Sequence, residues 1–150
     1  MKFTFSYRAV AVFILLMLPN IVYFISPPTD IPDTLGSSMK IIGAIENAFR
    51  MLSFLLLFFV SQKPDASLKS PWVIGIFIFM ALYFVLWGRY FFQGSTYAIL
   101  GKDFWGIPMP MVIFPVCCLI CTAFWLDCIP AVIATIIFGI LHALSHLVSN

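Results

Sequence analysis

The chain has 150 residues, of which 63% are hydrophobic and only 9% are charged. A soluble domain is about 45–50% apolar and about 25% charged, so the composition excludes a water-soluble fold and indicates a protein that lies in lipid. A net charge of +2, spread along the chain, excludes a nucleic-acid-binding protein.

Five apolar stretches predict an all-α, polytopic membrane helix bundle, formed by a single domain over residues 1–150. A helix needs about 20 apolar residues to cross a bilayer. The stretches are continuous rather than alternating in polarity, which argues against a β-barrel. The predicted spans are residues 9–26, 41–61, 71–88, 108–126 and 129–147.

The first span follows a short basic segment, MKFTFSYR, as the apolar region of a signal peptide would. No small-residue cleavage site comes after it, so we expect it to remain as a span that carries Asn20 near its end. Residues 27–40 are rich in Pro, Asp and Ser, a composition typical of a turn-rich loop.

The second span contains a polar stripe, in which residues recur at spacings of three and four. Ionisable residues inside an apolar span are costly and usually face other helices or a water-filled cavity. Arg50 stays protonated, and Glu46 lies four residues earlier, the favoured order for an intrahelical ion pair. Two interpretations remain open: the pair only neutralises itself and fixes helix packing, or the stripe forms a site. The stripe comprises Gly43, Glu46, Asn47, Arg50 and Ser53.

The third span is bounded by a polar loop at 62–70 and by the longest loop, 93–107, which is half apolar and is predicted to lie partly along the membrane interface. Trp72, Trp87, Tyr90 and Trp105 fall at the ends of predicted spans, which is typical of interfacial aromatic residues.

The last two spans are separated only by the segment WLDCIP. This spacing predicts a tight helical hairpin that turns at Asp127; the alternative is one long apolar run with a re-entrant segment. Cys118 and Cys121 form a C-x-x-C motif near the middle of the fourth span. No loop holds a second pair, so we expect reduced thiols and not a redox centre.

The fifth span has a polar stripe of its own, made of Cys128, Thr135, Gly139, His142 and His146. It runs antiparallel to the second span, so the helical rise puts Glu46 and His142 each roughly 7–8 Å below the same membrane face. The sequence therefore predicts one polar pocket open toward the outer face. Its predicted lining residues are Glu46, Asn47, Arg50, His142 and Asn20.

A metal site is the alternative use of the same residues. His142 and His146 are four residues apart, a spacing that lets two imidazoles hold one zinc ion, and Glu46 could be the third ligand. The competing interpretation is that two histidines near a helix end contact headgroups or backbone. We expect no cofactor, with zinc at Glu46, His142 and His146 as the alternative.

Basic residues in the loops favour an N-terminus on the inside, and five spans then place the C-terminus outside. Lys2, Arg8, Lys63 and Lys69 lie on the inner side of this topology, and Lys40, Arg89 and Lys102 lie on the outer side.

Two resemblances arise at these motifs. E-N-A-F-R at 46–50, G-I-P-M-P-M at 106–111, F-P-V at 114–116 and F-G-I-L-H at 138–142 resemble small multi-span bacterial membrane proteins of unassigned function. Glu46, Phe49 and Arg50, followed by Phe138 and His142, are similar to parts of the motifs of prenyl-endopeptidase-type membrane proteases. Ile45 occupies the place of the first glutamate of that motif.

The sequence thus predicts a multi-pass protein of a bacterial cell membrane, a small binding, transport-accessory or sensing protein rather than an enzyme. The expected partners are the lipid bilayer, an anionic lipid or small solute, or a larger membrane protein, and no nucleic acid. One alternative is a metal-dependent intramembrane hydrolase, and the other is a structural subunit of a larger membrane complex.

Overall fold

The computed structural model describes residues 3–25, 27–28 and 37–149, with side chains described at 3–25, 27–28 and 41–145. Within these ranges the chain folds into helices without a β-strand, which confirms the predicted all-α helical bundle. The helices are α1 (Tyr7–Ile25), α2 (Ser37–Phe59), α3 (Pro71–Phe92), α4 (Tyr97–Gly101), α5 (Pro110–Trp125) and α6 (Ile129–Ser149).

Three of these helices are long and apolar enough to cross a membrane: α1, residues 41–59 of α2, and α3. Residues 110–125 of α5 and residues 129–145 of α6 form shorter apolar helices. Large apolar side chains such as Ile14, Phe77 and Ile133 are exposed on the outside of the bundle. A surface of this kind is rare on soluble monomers and suits a lipid environment.

The bundle is built from antiparallel helix pairs. The most extensive packing joins α2 to α6 and α3 to α5, and the neighbours α5 and α6 pack together as well. Near one end of the first pair, the Cys128 thiol lies 3.5 Å from the carbonyl oxygen of Leu56, whereas Glu46 meets Ser145 near the other end. The second and fifth predicted spans therefore run in opposite directions, as expected.

A tight hairpin joins α5 to α6 at the predicted place. Asp127 adopts a left-handed backbone conformation, with φ of 55°, which Asp tolerates better than most residues. The Cys128 N–H donates to the carbonyl of Ala123 at 2.8 Å, and Lys63 forms an ion pair with the Asp127 carboxylate at 3.1 Å. The loop at 62–70 is thus attached to the same end of the bundle as the hairpin.

The end of α3 differs from the prediction. The helix continues one turn beyond residue 88, to Phe92, and this turn packs against neighbouring aromatic rings. Trp87 and Tyr90 are buried among the helices, at 6% and 0% exposure, so their rings pack against protein. That they lie at the depth of the membrane interface stays a prediction. Trp72 and Trp105 are exposed.

The loop after α3 contains the one-turn helix α4. The Arg89 guanidinium donates to the carbonyl oxygens of Asp103 and Lys102 at 3.0 Å each and to that of Ile99 at 3.4 Å. Arg89 therefore holds this loop over the end of the bundle. In the predicted turn-rich loop, residues 29–36 lie outside the described residues, as do Lys2 and the side chain of Lys40.

The start of α1 lies beside the end of α2. The N–H groups of Thr4 and Ser6 donate to the carbonyls of Phe59 and Phe58 at 3.0 and 2.9 Å. Further along α1, the Phe13 ring packs edge-on against Phe54. Helix α1 packs less extensively on any other helix than α2 packs on α6, α3 on α5, or α5 on α6.

Candidate functional site

The polar stripes of α2 and α6 meet at Glu46. Its Oε1 lies 3.0 Å from Nδ1 of His142, and its Oε2 lies 2.9 Å from the hydroxyl of Ser145, which can donate to it. The carboxylate is 12% exposed and the His142 side chain is 30% exposed. The predicted common depth of Glu46 and His142 therefore brings the two side chains into contact.

The imidazole of His142 is held by its neighbours as well as by Glu46. It stacks on the Phe138 ring, one helical turn earlier, with centroids 5.5 Å apart and planes 16° apart. Its Nδ1 has no aligned hydrogen-bond partner in the described part of the chain. Nδ1 and the Glu46 carboxylate are therefore close enough for an ion pair, but they are not aligned as a hydrogen bond. The Phe138 ring and the Glu46 carboxylate together fix the orientation of the imidazole.

The predicted intrahelical ion pair between Glu46 and Arg50 is not formed among the described residues. Glu46 contacts α6, and the Arg50 guanidinium instead donates to the Asn47 side-chain oxygen, three residues earlier. The i to i+4 rule compares residues only within one helix, whereas close packing of α6 on α2 offers the carboxylate a nearer partner. Among the described side chains, the charge of Arg50 thus has no carboxylate at ion-pair distance.

A cavity of about 210 Å³ lies between the helices, and its lining residues include His142, the partner of Glu46. Of the five predicted pocket residues, Asn20, Arg50 and His142 line it. Glu46 is buried behind His142, and Asn47 is exposed and does not line the cavity. Its walls are mostly apolar; they include Leu16, Met17, Phe54, Met111, Pro115 and Phe138.

Three of the aromatic residues that line this cavity carry a hydrogen-bonding group and were not among the predicted pocket residues. Tyr23 comes from α1, and Tyr83 and Trp87 come from successive turns of α3. The Asn20 side chain donates to the Tyr83 hydroxyl oxygen at 2.9 Å, which ties α1 to α3. The spacing of Tyr83, Trp87 and Tyr90 on one face of α3 is a signal in the sequence that could have identified Tyr83 and Trp87.

Ser145 is the other missed residue. Its hydroxyl lies 2.9 Å from Glu46 Oε2 and 2.8 Å from the carbonyl oxygen of His142, so its single proton can serve either acceptor. Ser145 follows His142 by three residues, and an extension of the predicted α6 stripe would have included it.

The candidate zinc ligands are only partly described. Glu46 and His142 are adjacent, whereas the side chain of His146 lies outside the described residues. Among the described side chains, no group of three or more His, Cys, Asp or Glu is arranged to hold a metal ion.

The four cysteines are free thiols. Cys118 is buried and its thiol lies 3.8 Å from the carbonyl oxygen of Ile76, while Cys121 packs close to Gly75. Both side chains therefore serve as small core residues between α3 and α5.

Comparisons with known proteins add nothing to this geometry. No protein-family model, curated protein or solved structure matches the chain.

Proposed function

We propose that the chain is a multi-pass protein of a bacterial cell membrane that binds a small anionic group in the cavity between α1, α2, α3, α5 and α6. It would act as a small binding, transport-accessory or sensing protein. The observation that carries the proposal is Arg50, a permanent positive charge at the cavity wall with no carboxylate at ion-pair distance among the described residues.

The cost of that charge supports an anionic occupant. A charged residue near the centre of a membrane helix costs roughly 2.5–3.5 kcal/mol, so such residues usually have a partner. Asn47 supplies one neutral acceptor to Arg50, and Glu46 is turned toward His142. An anion in the cavity would provide the missing counter-charge.

The size and chemistry of the cavity limit the occupant. At about 210 Å³ it is smaller than the roughly 300–1,000 Å³ of sites for drug-sized ligands. Asn20, Tyr83 and His142 add hydrogen-bonding groups among apolar walls. A lipid headgroup or a small anionic solute fits this description, and the two sources share the anionic group that Arg50 would bind.

Replacing Arg50 tests the proposal. We expect Arg50→Leu to weaken binding of the co-purifying anion roughly ten- to a hundred-fold, because a charge-assisted hydrogen bond contributes about 1.5–3 kcal/mol. Native mass spectrometry in mild detergent measures the bound species. Lys102→Gln, which removes an exposed positive charge near α4, is the matched control and should retain the ligand.

Three results distinguish the possibilities. A bound phospholipid indicates the headgroup, and a bound small anion indicates the solute. Equal binding by Arg50→Leu and the parent would contradict the proposal. Stoichiometric zinc, found by elemental analysis of the same sample, would favour the metal-dependent hydrolase instead, which is supported by the contact between Glu46 and His142.

We further propose five crossings, with the N-terminus inside and the C-terminus outside. The antiparallel packing and the hairpin at Asp127 support an odd number of crossings, because the start of α1 and the end of α6 lie at opposite ends of the bundle. Helix α5 has only 16 residues, about 24 Å, so it would need the adjoining loop residues to cross about 30 Å of hydrocarbon.

Reporter fusions at both termini measure this topology. We expect an N-terminal reporter to be active only inside the cell and a reporter after Asn150 only outside. Two reporters on the same side would contradict the five-span topology and would favour the alternative in which the last apolar run, residues 108–147, forms one crossing and a re-entrant segment.

A further inference from the structure

A second cavity lies at the other end of the bundle, between α1 and α3, and shares no lining residue with the cavity at Arg50. We call it the Arg8 groove. It has a volume of about 190 Å³ and is apolar along its length, with one charged residue, Arg8, at its end. Its walls include Val12, Leu15, Val73, Phe77 and Met80.

The charge of Arg8 is held in place but not neutralised. Its guanidinium lies over the Trp125 ring, 5.6 Å from the ring centroid, and its Nη1 is shielded from solvent without a hydrogen-bond partner among the described residues. No described carboxylate lies at ion-pair distance from Arg8, and Asp127, at the same end of the bundle, is paired with Lys63. The groove thus ends at an unpaired cation.

The apolar part of the groove opens to the outside of the bundle. Val12, Val73 and Met80 form its buried floor, whereas Phe77 and Leu68 at its sides are 69% and 66% exposed. The indole N–H of Trp125 donates to the carbonyl of Ser67 at 2.9 Å, which holds the loop with Leu68 at the groove. An apolar chain entering from lipid would therefore lie against both helices while its polar end reached Arg8.

We propose that the Arg8 groove binds one anionic phospholipid, with the phosphate at the Arg8 guanidinium and part of one acyl chain between α1 and α3. A cation at the end of an apolar groove is complementary to a molecule with an anionic head and an apolar tail. Arg8 also precedes the first span on its basic side, and anionic lipids attract such residues electrostatically. The proposal is independent of the ligand at Arg50.

Native mass spectrometry with added lipid tests the groove. The parent protein in mild detergent is titrated with phosphatidylglycerol and, separately, with phosphatidylcholine of identical acyl chains. We expect the first phosphatidylglycerol to bind about five-fold more tightly, the effect of one basic residue near an anionic surface. Arg8→Gln should abolish this preference, whereas Lys69→Gln, which removes an exposed charge at the same end, should preserve it.

A variant that keeps Arg8 but fills the apolar groove tests whether an acyl chain lies between α1 and α3. Ala11 lines the groove and is exposed, so Ala11→Phe should place a ring in the groove without disturbing the core. We expect it to weaken binding of both lipids at this site. Equal affinity of the parent for the two lipids, equal loss of preference in Arg8→Gln and Lys69→Gln, or unchanged phosphatidylglycerol binding by Ala11→Phe would each overturn the proposal.

Discussion

Replacing His142 with leucine is expected to lower the thermal stability of the protein more than replacing His142 and Glu46 together. The single change leaves a carboxylate that is 12% exposed without the imidazole that lies 3.0 Å from it. Breaking a buried pair in this way costs about 3–5 kcal/mol, and the partial exposure of His142 favours the lower end of that range. The double change, His142→Leu with Glu46→Leu, replaces both groups by apolar side chains and is expected to be close to neutral.

Thermal unfolding of the parent and the variants in one detergent measures the difference. Arg50→Leu is the informative control. It removes the partner of Glu46 that helical spacing predicted and leaves His142, the partner that Glu46 has in the structure. If Arg50→Leu lowers stability as much as His142→Leu does, Glu46 depends on Arg50 within α2. If the double variant is less stable than His142→Leu, the asymmetry expected of a buried ion pair is absent.

A side chain at Gly139 is expected to push α5 and α6 apart. A Cβ atom at this position would lie 2.9 Å from Cγ1 and 3.3 Å from Cγ2 of Val116, closer than normal packing allows. Valine is stiff about χ1 and cannot turn both methyl groups away. Forcing extra side-chain volume into a close helix contact costs about 1–3 kcal/mol, so we expect Gly139→Leu to lower the melting temperature measurably.

Two further variants show whether the contact with Val116 is the cause. Val116→Ala removes both methyl groups that the new side chain would meet, so it should recover part of the stability lost in Gly139→Leu. Gly88→Leu adds the same side chain to α3, where a Cβ atom has open space within 4 Å, and should be nearly neutral. Equal destabilisation by Gly88→Leu and Gly139→Leu would exclude the steric explanation.

Much of the fold could be predicted because lipid imposes simple rules on the chain. Long apolar runs must be helices, since every backbone group in lipid needs an internal partner. Six residues between two apolar runs leave room only for a tight turn, which the structure has at Asp127. The common depth of Glu46 and His142, at which the two side chains meet, also followed from rise per residue and helix direction.

The details of the site could not be predicted in the same way. Helical spacing predicted Arg50 as the partner of Glu46. It contains no information on how closely α6 approaches α2, and that approach makes His142 the partner. The burial of Trp87 and Tyr90 depends on where α3 ends and on which rings pack beside it. The partner of Glu46 and the burial of these two rings depend on contacts between residues far apart in the sequence, and the periodicity of one helix does not predict such contacts.

The strong packing of α2 on α6 has a consequence for how the protein is made. In the sequence, α3, α4 and α5 lie between these two helices, so the ribosome finishes α2 well before α6. At 5–20 residues per second, the 90 residues from Phe59 to Ser149 take about 5–18 s. During that interval Glu46 has neither His142 nor Ser145 as a partner. A nascent chain stopped before α6 would therefore hold Glu46 in the membrane without its two partners from α6, a feature by which cellular quality control could distinguish it from the finished protein.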